Sequence, residues 1–217
     1  MIASSAPTST PPTVIIIDDD PSVRATLDSL FRSVGLNTQT FASARDFLAE
    51  PSSGGVRCLV VDVRLPKMSG LDLQKELITR GDEASIIMMT GHGDIPMTVR
   101  AMKAGAIDFL TKPFRDQEMI DAVTGALARD EERRRAKTSS ETTHARFGSL
   151  TPRERQVMAL VVSGLMNKQV AGELGLSEIT VKLHRASVMK KMGARSLPDL
   201  VRMADTIDQD EVQKVQG

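Results

Sequence analysis

Five side chains able to do chemistry stand at the ends of strand-length apolar runs. Asp18 and Asp19 follow Thr13 to Ile17, Asp62 follows Cys58 to Val61, Thr90 ends a run from Ser85, and Lys112 follows a run from Ala106 to Leu110. Carboxylates brought together repel one another unless a cation offsets them, so this set calls for a hard divalent metal and an anion. Mg²⁺ suits it, because that ion takes one or two protein carboxylates and keeps positions for water and phosphate. The chemistry that uses every member is phosphoryl transfer to a carboxylate. Asp62 attacks phosphorus, Mg²⁺ lies on Asp19 and Asp62, and Lys112 and the Thr90 hydroxyl take the remaining oxygens. Each residue also has a plainer reading: Asp18 to Asp20 as a helix cap, Thr90 as a strand-end residue, Lys112 as a surface lysine. The argument rests on four strand ends carrying such residues at once.

The elements that must position these groups follow from periodicity. Thr13 to Ile17 is a β-branched run, and Pro21 then opens a helix with Val23, Leu27, Leu30, Phe31 and Val34 at helical spacing and Gly35 as its stop. Asn37 to Phe41 predicts a second strand, Ser43 to Ala49 a short helix, and Cys58 to Asp62 a buried strand followed by a helix over Leu71 to Ile78. Ser85 to Thr90, Pro96 to Gly105, Ala106 to Leu110 and a helix from Asp116 continue the alternation. Five strand-helix repeats predict an α/β doubly wound, five-stranded parallel sheet whose carboxyl strand ends share one edge.

Composition bounds the rest. The 217 residues carry no net charge, yet acids exceed bases by 16 to 12 over residues 1–128, whereas bases exceed acids by 9 to 4 over 149–204. Two domains with different partners are expected, the second partner polyanionic. A chance asymmetry of this size is the plainer alternative. The one cysteine, Cys58, sits in an apolar run and permits no intrachain disulfide, which fits a reducing cytoplasm. The Ser/Thr/Pro-rich residues 1–12 read as a disordered tail with no signal-peptide pattern, and no apolar run is long enough to span a membrane.

Asp18-Asp19, Asp62, Thr90 and Lys112-Pro113 together resemble the receiver domain of two-component response regulators over about residues 13–128. That resemblance implies Asp62 as phosphoacceptor, Asp18, Asp19 and the backbone carbonyl of Arg64 at the Mg²⁺, and Thr90 as switch hydroxyl. Lys112 becomes the phosphate partner, Phe109 the aromatic that reports the state of Thr90, and the Lys112-Pro113 bond is expected to be cis. The stretch from Thr90 through Gly-His92-Gly to Phe109 looks like the FixJ subgroup. With no tyrosine in the chain, the switch ring acts without a phenolic hydroxyl. Receivers of this kind pair once phosphorylated through a surface that here holds Val99, Met102, Lys103 and Asp108, whose plainer reading is a solvated helix face. Arg64 and His92, two positions beyond Asp62 and Thr90, are expected to screen water and give a phosphoryl lifetime of minutes or longer.

From Arg129 to Gly148 a charge run and then a Ser/Thr-rich break read as a helical and flexible linker. Beyond it, Thr151-Pro-Arg-Glu154 is a capping box, Asn167 caps a short helix ended by Gly175, Ser177 caps a longer one ending at Met192-Gly193, and Ser196 with Asp199 opens a fourth. Two helices joined by a tight glycine turn in a basic all-α four-helix unit predict a helix-turn-helix. With Val181 inward, Val188 and Met192 share its side, while Ile179, Lys182, Leu183, Ala186 and Lys190 face away, as a major-groove reader requires. Residues 149–204 resemble the LuxR-type output domain of NarL/FixJ regulators through Leu150-Thr-Pro-Arg-Glu154-Arg, Asn167-Lys168 and Leu176-Ser-Glu-Ile-Thr180-Val-Lys182-Leu-His184-Arg. The resemblance implies that Asn167, Lys168, Thr180 and His184 lie near phosphates and that Lys182, Leu183 and Ala186 face bases. Residues 205–217 read as an acidic, frayed tail, and neither His92 nor His184 has companions for a metal.

The expected protein is a cytoplasmic, phosphorylation-dependent transcription regulator. Its partners are a sensor histidine kinase, double-stranded DNA, RNA polymerase and, once phosphorylated, a second copy of itself. Two rivals stand beside it. A phosphate-independent DNA-binding scaffold would use the receiver only to dimerise. An aspartyl-phosphate phosphohydrolase expects a second acid two residues after the nucleophile, where this chain has Arg64.

Overall fold

The computed structural model describes residues 11–51, 55–91 and 95–216, the side chains of 208–216 excepted. Residues 1–10 of the expected tail and His92 lie outside the described residues. The chain divides into two compact units, Met1–Arg134 and Arg135–Gly217.

The first unit alternates β1 (Thr13–Ile17), α1 (Pro21–Ser33), β2 (Asn37–Phe41), α2 (Ala44–Ala49), β3 (Arg57–Asp62), α3 (Gly70–Thr79), β4 (Ser85–Thr90), α4 (Ile95–Lys103) and β5 (Asp108–Thr111). α5 (Asp116–Gly148) begins in this unit. All strand pairs are parallel, in the order β2-β1-β3-β4-β5, as a doubly wound fold requires. The pleat sends alternate residues to opposite faces. Ile15, Ile17, Leu59, Val61 and Met88 pack with Phe47, Leu73, Leu77 and Ala101 from α2, α3 and α4. Val14, Ile16, Cys58, Val60, Ile87 and Met89 pack with Leu27 and Phe31 of α1 and Met119, Val123 and Ala126 of α5. Every residue of β3 and β4 is buried, which explains their unbroken apolar runs.

Three expected boundaries move. β5 begins at Asp108 rather than Ala106, because the Ala106 N–H closes the end of α4 by donating to the Ala101 carbonyl. Val34 is 46% exposed, lying past the end of α1 as its C-cap. α5 does not break at Thr138. Thr142 and Thr143 donate their hydroxyls to the carbonyls of Thr138 and Ser139, satisfying inside the helix the side chains that usually compete with it.

The α5 extension is also less solvated than its charge run suggests. Asp130 is 1% exposed. Its carboxylate accepts from the Arg57 backbone N–H at 3.0 Å, from Arg134 Nε at 2.8 Å and from Arg133 Nη2. Arg57, at the amino end of β3, pairs in turn with Asp82.

The second unit holds the end of α5, then α6 (Pro152–Val162), α7 (Asn167–Leu174), α8 (Glu178–Met192) and α9 (Leu197–Gln216). Leu150, Val157, Val161, Val170, Val181, Val188, Met192 and Leu200 form its core. The turn between α7 and α8 runs through Gly175 at φ +63°, a conformation that penalises any Cβ. Residues 205–217 are not a frayed tail from the outset: α9 continues to Gln216, and Ile207, 3% exposed, belongs to the core. Among the described residues no helix is long and apolar enough to cross a membrane.

Candidate functional site

Parallel pairing in register brings the expected residues to one edge. Ile17 stands beside Val61, Asp62 beside Met89, and Thr90 beside Thr111, so Asp18, Asp62, Thr90 and Lys112 all emerge at the carboxyl ends of neighbouring strands. Lys112 Nζ donates to Asp18 Oδ2 at 2.6 Å and to Asp62 Oδ1 at 2.7 Å. The second oxygen of each acid meets a backbone donor: Asp20 N–H at 2.9 Å for Asp18, and Arg64 N–H at 2.5 Å for Asp62. Both carboxylates are buried, at 1% and 6% exposure. Burial pushes the Asp18 carboxyl above its ordinary range, against the pull of the Lys112 bond. Burial pulls Lys112 down, but its bonds to the two acids prevail and raise it.

Gly70 closes the back of this site. A Cβ there would lie 2.5 Å from the Asp62 carbonyl oxygen, so the first residue of α3 must be glycine for the helix to approach β3. Thr90 is fully buried, and its carbonyl accepts the Lys112 N–H at 2.7 Å. Phe109 is partly buried against the core cluster that includes Met88 of β4 and Ala101 of α4. The Lys112-Pro113 bond is cis. Arg64 is exposed and presents only its backbone to Asp62.

Asp19 is exposed, and among the described residues no three His, Cys, Asp or Glu side chains already converge as a metal cage. The donors nonetheless fit a hard divalent cation: two buried carboxylates one lysine apart, and a third on the adjoining residue, all oxygen.

On α4, Val99 and Met102 are 44% and 43% exposed, and Ile95, which sequence reasoning did not single out, is 80% exposed one turn earlier on the same face. Lys103 is exposed, while Asp108 is partly buried and accepts the N–H of Phe109.

In the second unit α8 divides as its spacing predicts. Val181, Val188 and Met192 are buried, whereas Lys182, Leu183, Ala186 and Lys190 are exposed. Lys168 is exposed, Thr180 pairs its hydroxyl with that of Ser177, and His184 is partly buried. Asn167 differs from expectation. Met166 is the N-cap of α7, with its N–H donating to Gln169 Oε1, and the Asn167 side-chain oxygen instead accepts from Arg185 Nη1 at 3.1 Å.

Sequence reasoning also passed over the anchoring of α8. Glu154, read only as half of a capping box, accepts from Thr151 N–H, Ser187 Oγ and Lys191 Nζ while 5% exposed. Lys191, then Ser187 and the Thr151 N–H, hold its carboxyl down at about 2. Ile179, placed on the outward face by its spacing, is 72% exposed beside Leu183 at 68%.

A doubly wound parallel sheet with acids, a threonine and a lysine at its carboxyl edge, joined to a helix-turn-helix bundle, defines a class: a receiver domain coupled to a DNA-binding module. Residues 14–124 match the response regulator receiver domain, and residues 148–204 match bacterial regulatory proteins of the luxR family. Nodulation protein W of Bradyrhizobium diazoefficiens is 57% identical over 199 residues, 92% of this chain and 88% of that protein. Transcriptional regulatory protein FixJ of Azorhizobium caulinodans is 48% identical over 191 residues, 88% of this chain and 90% of that one. The response regulator StyR, known at low resolution, superposes with a TM-score of 0.83 and 49% identity, over 90% of this chain and 99% of its own. The chain belongs to the NarL/FixJ family of response regulators.

Proposed function

We propose that this chain is a cytoplasmic transcription regulator switched by phosphorylation of Asp62. The observation that carries the reading is the Lys112 ammonium held between the Asp18 and Asp62 carboxylates. A carboxylate so placed is oriented for attack, and a cation is already at hand for the charge that a phosphoryl group brings.

In the reaction an Asp62 oxygen attacks the phosphorus of a phosphohistidine on a sensor kinase. The new P–O bond forms as the P–N bond breaks, and the departing imidazole keeps the electron pair. Arg64 N–H holds the oxygen that does not attack, and Lys112 shifts toward the phosphoryl oxygens. Thr90, buried at the end of the next strand, offers its hydroxyl to the same group, and Phe109 packs according to where that hydroxyl lies. Asp18, Asp19, Asp62 and the Arg64 carbonyl would hold Mg²⁺, which supplies charge neutralisation to the phosphoryl oxygens.

The exposed α4 face of Ile95, Val99 and Met102, with Lys103 and Asp108 beside it, is the surface through which two phosphorylated copies pair. Two output units then meet a two-fold DNA site, Lys182, Leu183 and Ala186 toward bases and Lys168, Asn167, Thr180, His184 and Lys190 toward phosphates. RNA polymerase is the final partner.

The test is the solution mass of wild type and Asp62→Ala, with and without beryllofluoride and Mg²⁺. The expected result is a monomer that becomes a dimer in wild type only. An unchanged mass in both proteins refutes phosphorylation-driven pairing.

A further inference from the structure

Arg24 lies outside the acid, threonine and lysine set, yet it touches the backbone of that set directly. It sits in the first turn of α1 and is partly buried. Its Nη1 donates to the carbonyl of Asp18 at 2.6 Å and to the carbonyl of Asp19 at 3.0 Å. Its own backbone N–H donates to the carbonyl of Asp20 at 3.1 Å. One residue thereby ties down the three successive carbonyls of the acidic turn.

The two acids depend on that brace unequally. The Asp18 carboxylate is held from the side-chain end, by Lys112 Nζ and by the Asp20 N–H. Asp19 is exposed, and among the described residues no hydrogen bond or ion pair holds its carboxylate. Its direction is set by the backbone from which it projects, and the guanidinium of Arg24 braces the two carbonyls of that backbone, on either side of Asp19, while the Asp18 and Asp20 N–H groups bond to Phe41 and to the Asp18 carboxylate. The carbonyls of Asp18 and Asp19 precede the helical ladder of α1, so without Arg24 they would turn to water and carry the Asp19 side chain with them.

We propose that Arg24 is a positioning residue for the divalent cation: it holds the Asp18 and Asp19 carbonyls so that both carboxylates meet the ion together. The inference rests on the reading of Asp18, Asp19 and Asp62 as metal ligands. A residue that orients a ligand without touching the metal typically changes affinity about 10- to 100-fold when removed.

The experiment is a titration of the full chain with Mn²⁺, followed by electron paramagnetic resonance, on wild type, Arg24→Ala, Arg24→Lys and Asp19→Asn. Thermal melts without metal run alongside. Arg24→Ala is expected to raise the Mn²⁺ dissociation constant about tenfold or more. Arg24→Lys, able to reach one carbonyl, should recover part of that loss. A second readout separates positioning from folding. The Mg²⁺ concentration giving half-maximal phosphorylation by acetyl phosphate should rise with the dissociation constant, while the rate at saturating Mg²⁺ stays that of wild type. An Arg24→Ala affinity within about twofold of wild type, beside a large loss in Asp19→Asn, overturns the proposal. A maximal rate that falls while affinity holds overturns it too. Unchanged affinity in Asp19→Asn would instead remove the ligand reading itself, and the proposal with it.

Discussion

Replacing Asp130 by alanine tests whether the charge run after the receiver is structural. The carboxylate side chain is fully buried, and its removal takes away the oxygen that accepts the Arg57 backbone N–H of β3. A buried donor stripped of its partner costs about 1–3 kcal/mol. The lost pairs with Arg133 and Arg134 are discounted for solvent screening, because each arginine side chain is 35% exposed. They contribute about 0.5–1 kcal/mol each. The expected loss is about 2–5 kcal/mol, a large part of the roughly 5–15 kcal/mol that holds a domain together. Asp130→Asn keeps an oxygen that can accept from Arg57 and loses only the charge, so it should cost about 1–2 kcal/mol. Urea denaturation of the full chain followed by circular dichroism measures both variants. Hydrogen exchange at the Arg57 amide locates the loss. Equal destabilisation by Ala and Asn, or a loss below about 1 kcal/mol for Ala, would refute the claim that the backbone bond dominates.

Two further expectations follow from the geometry. Gly70→Ala forces a Cβ against the Asp62 carbonyl, so it should destabilise the receiver by about 1–3 kcal/mol and slow phosphorylation by acetyl phosphate, and wild-type values for both would sink the close-approach argument. Glu154, held down at about 2 in the fold from an ordinary 4.5, adds stability to the second unit above pH 4.5 that is lost as pH falls through its folded value. The urea midpoint read from the Val188 and Met192 methyl resonances should therefore drop between pH 5 and pH 3 in wild type and change far less in Glu154→Gln, and parallel behaviour of the two proteins would count against the anchor.

The homologous regulators leave little room for the phosphohydrolase alternative, and Arg64 agrees, since it offers Asp62 a backbone N–H and no acid side chain. The scaffold alternative is decided by the mass measurement on Asp62→Ala.

Local sequence was enough for whatever depends on neighbours in the chain. Strand-length apolar runs marked most of the strands, Pro21 and Pro152 marked helix starts, and five reactive side chains at four strand ends marked the site, because parallel pairing brings carboxyl ends together whatever the loops do. The division of α8 was equally legible, since 3.6 residues per turn assigns its faces without knowledge of the partner. Tertiary structure alone decided the long-range polar contacts. Asp130 reads as one charge in a solvated run, yet it is buried where the amino end of β3, 73 residues earlier, directs the Arg57 N–H at that face of α5. Asn167 reads as a cap and turns out to serve Arg185, Glu154 reads as a cap and also anchors Ser187 and Lys191, and Ile207 reads as tail and packs in the core. In each case a polar group or an apolar side chain is satisfied by a neighbour set by packing, which no local pattern encodes.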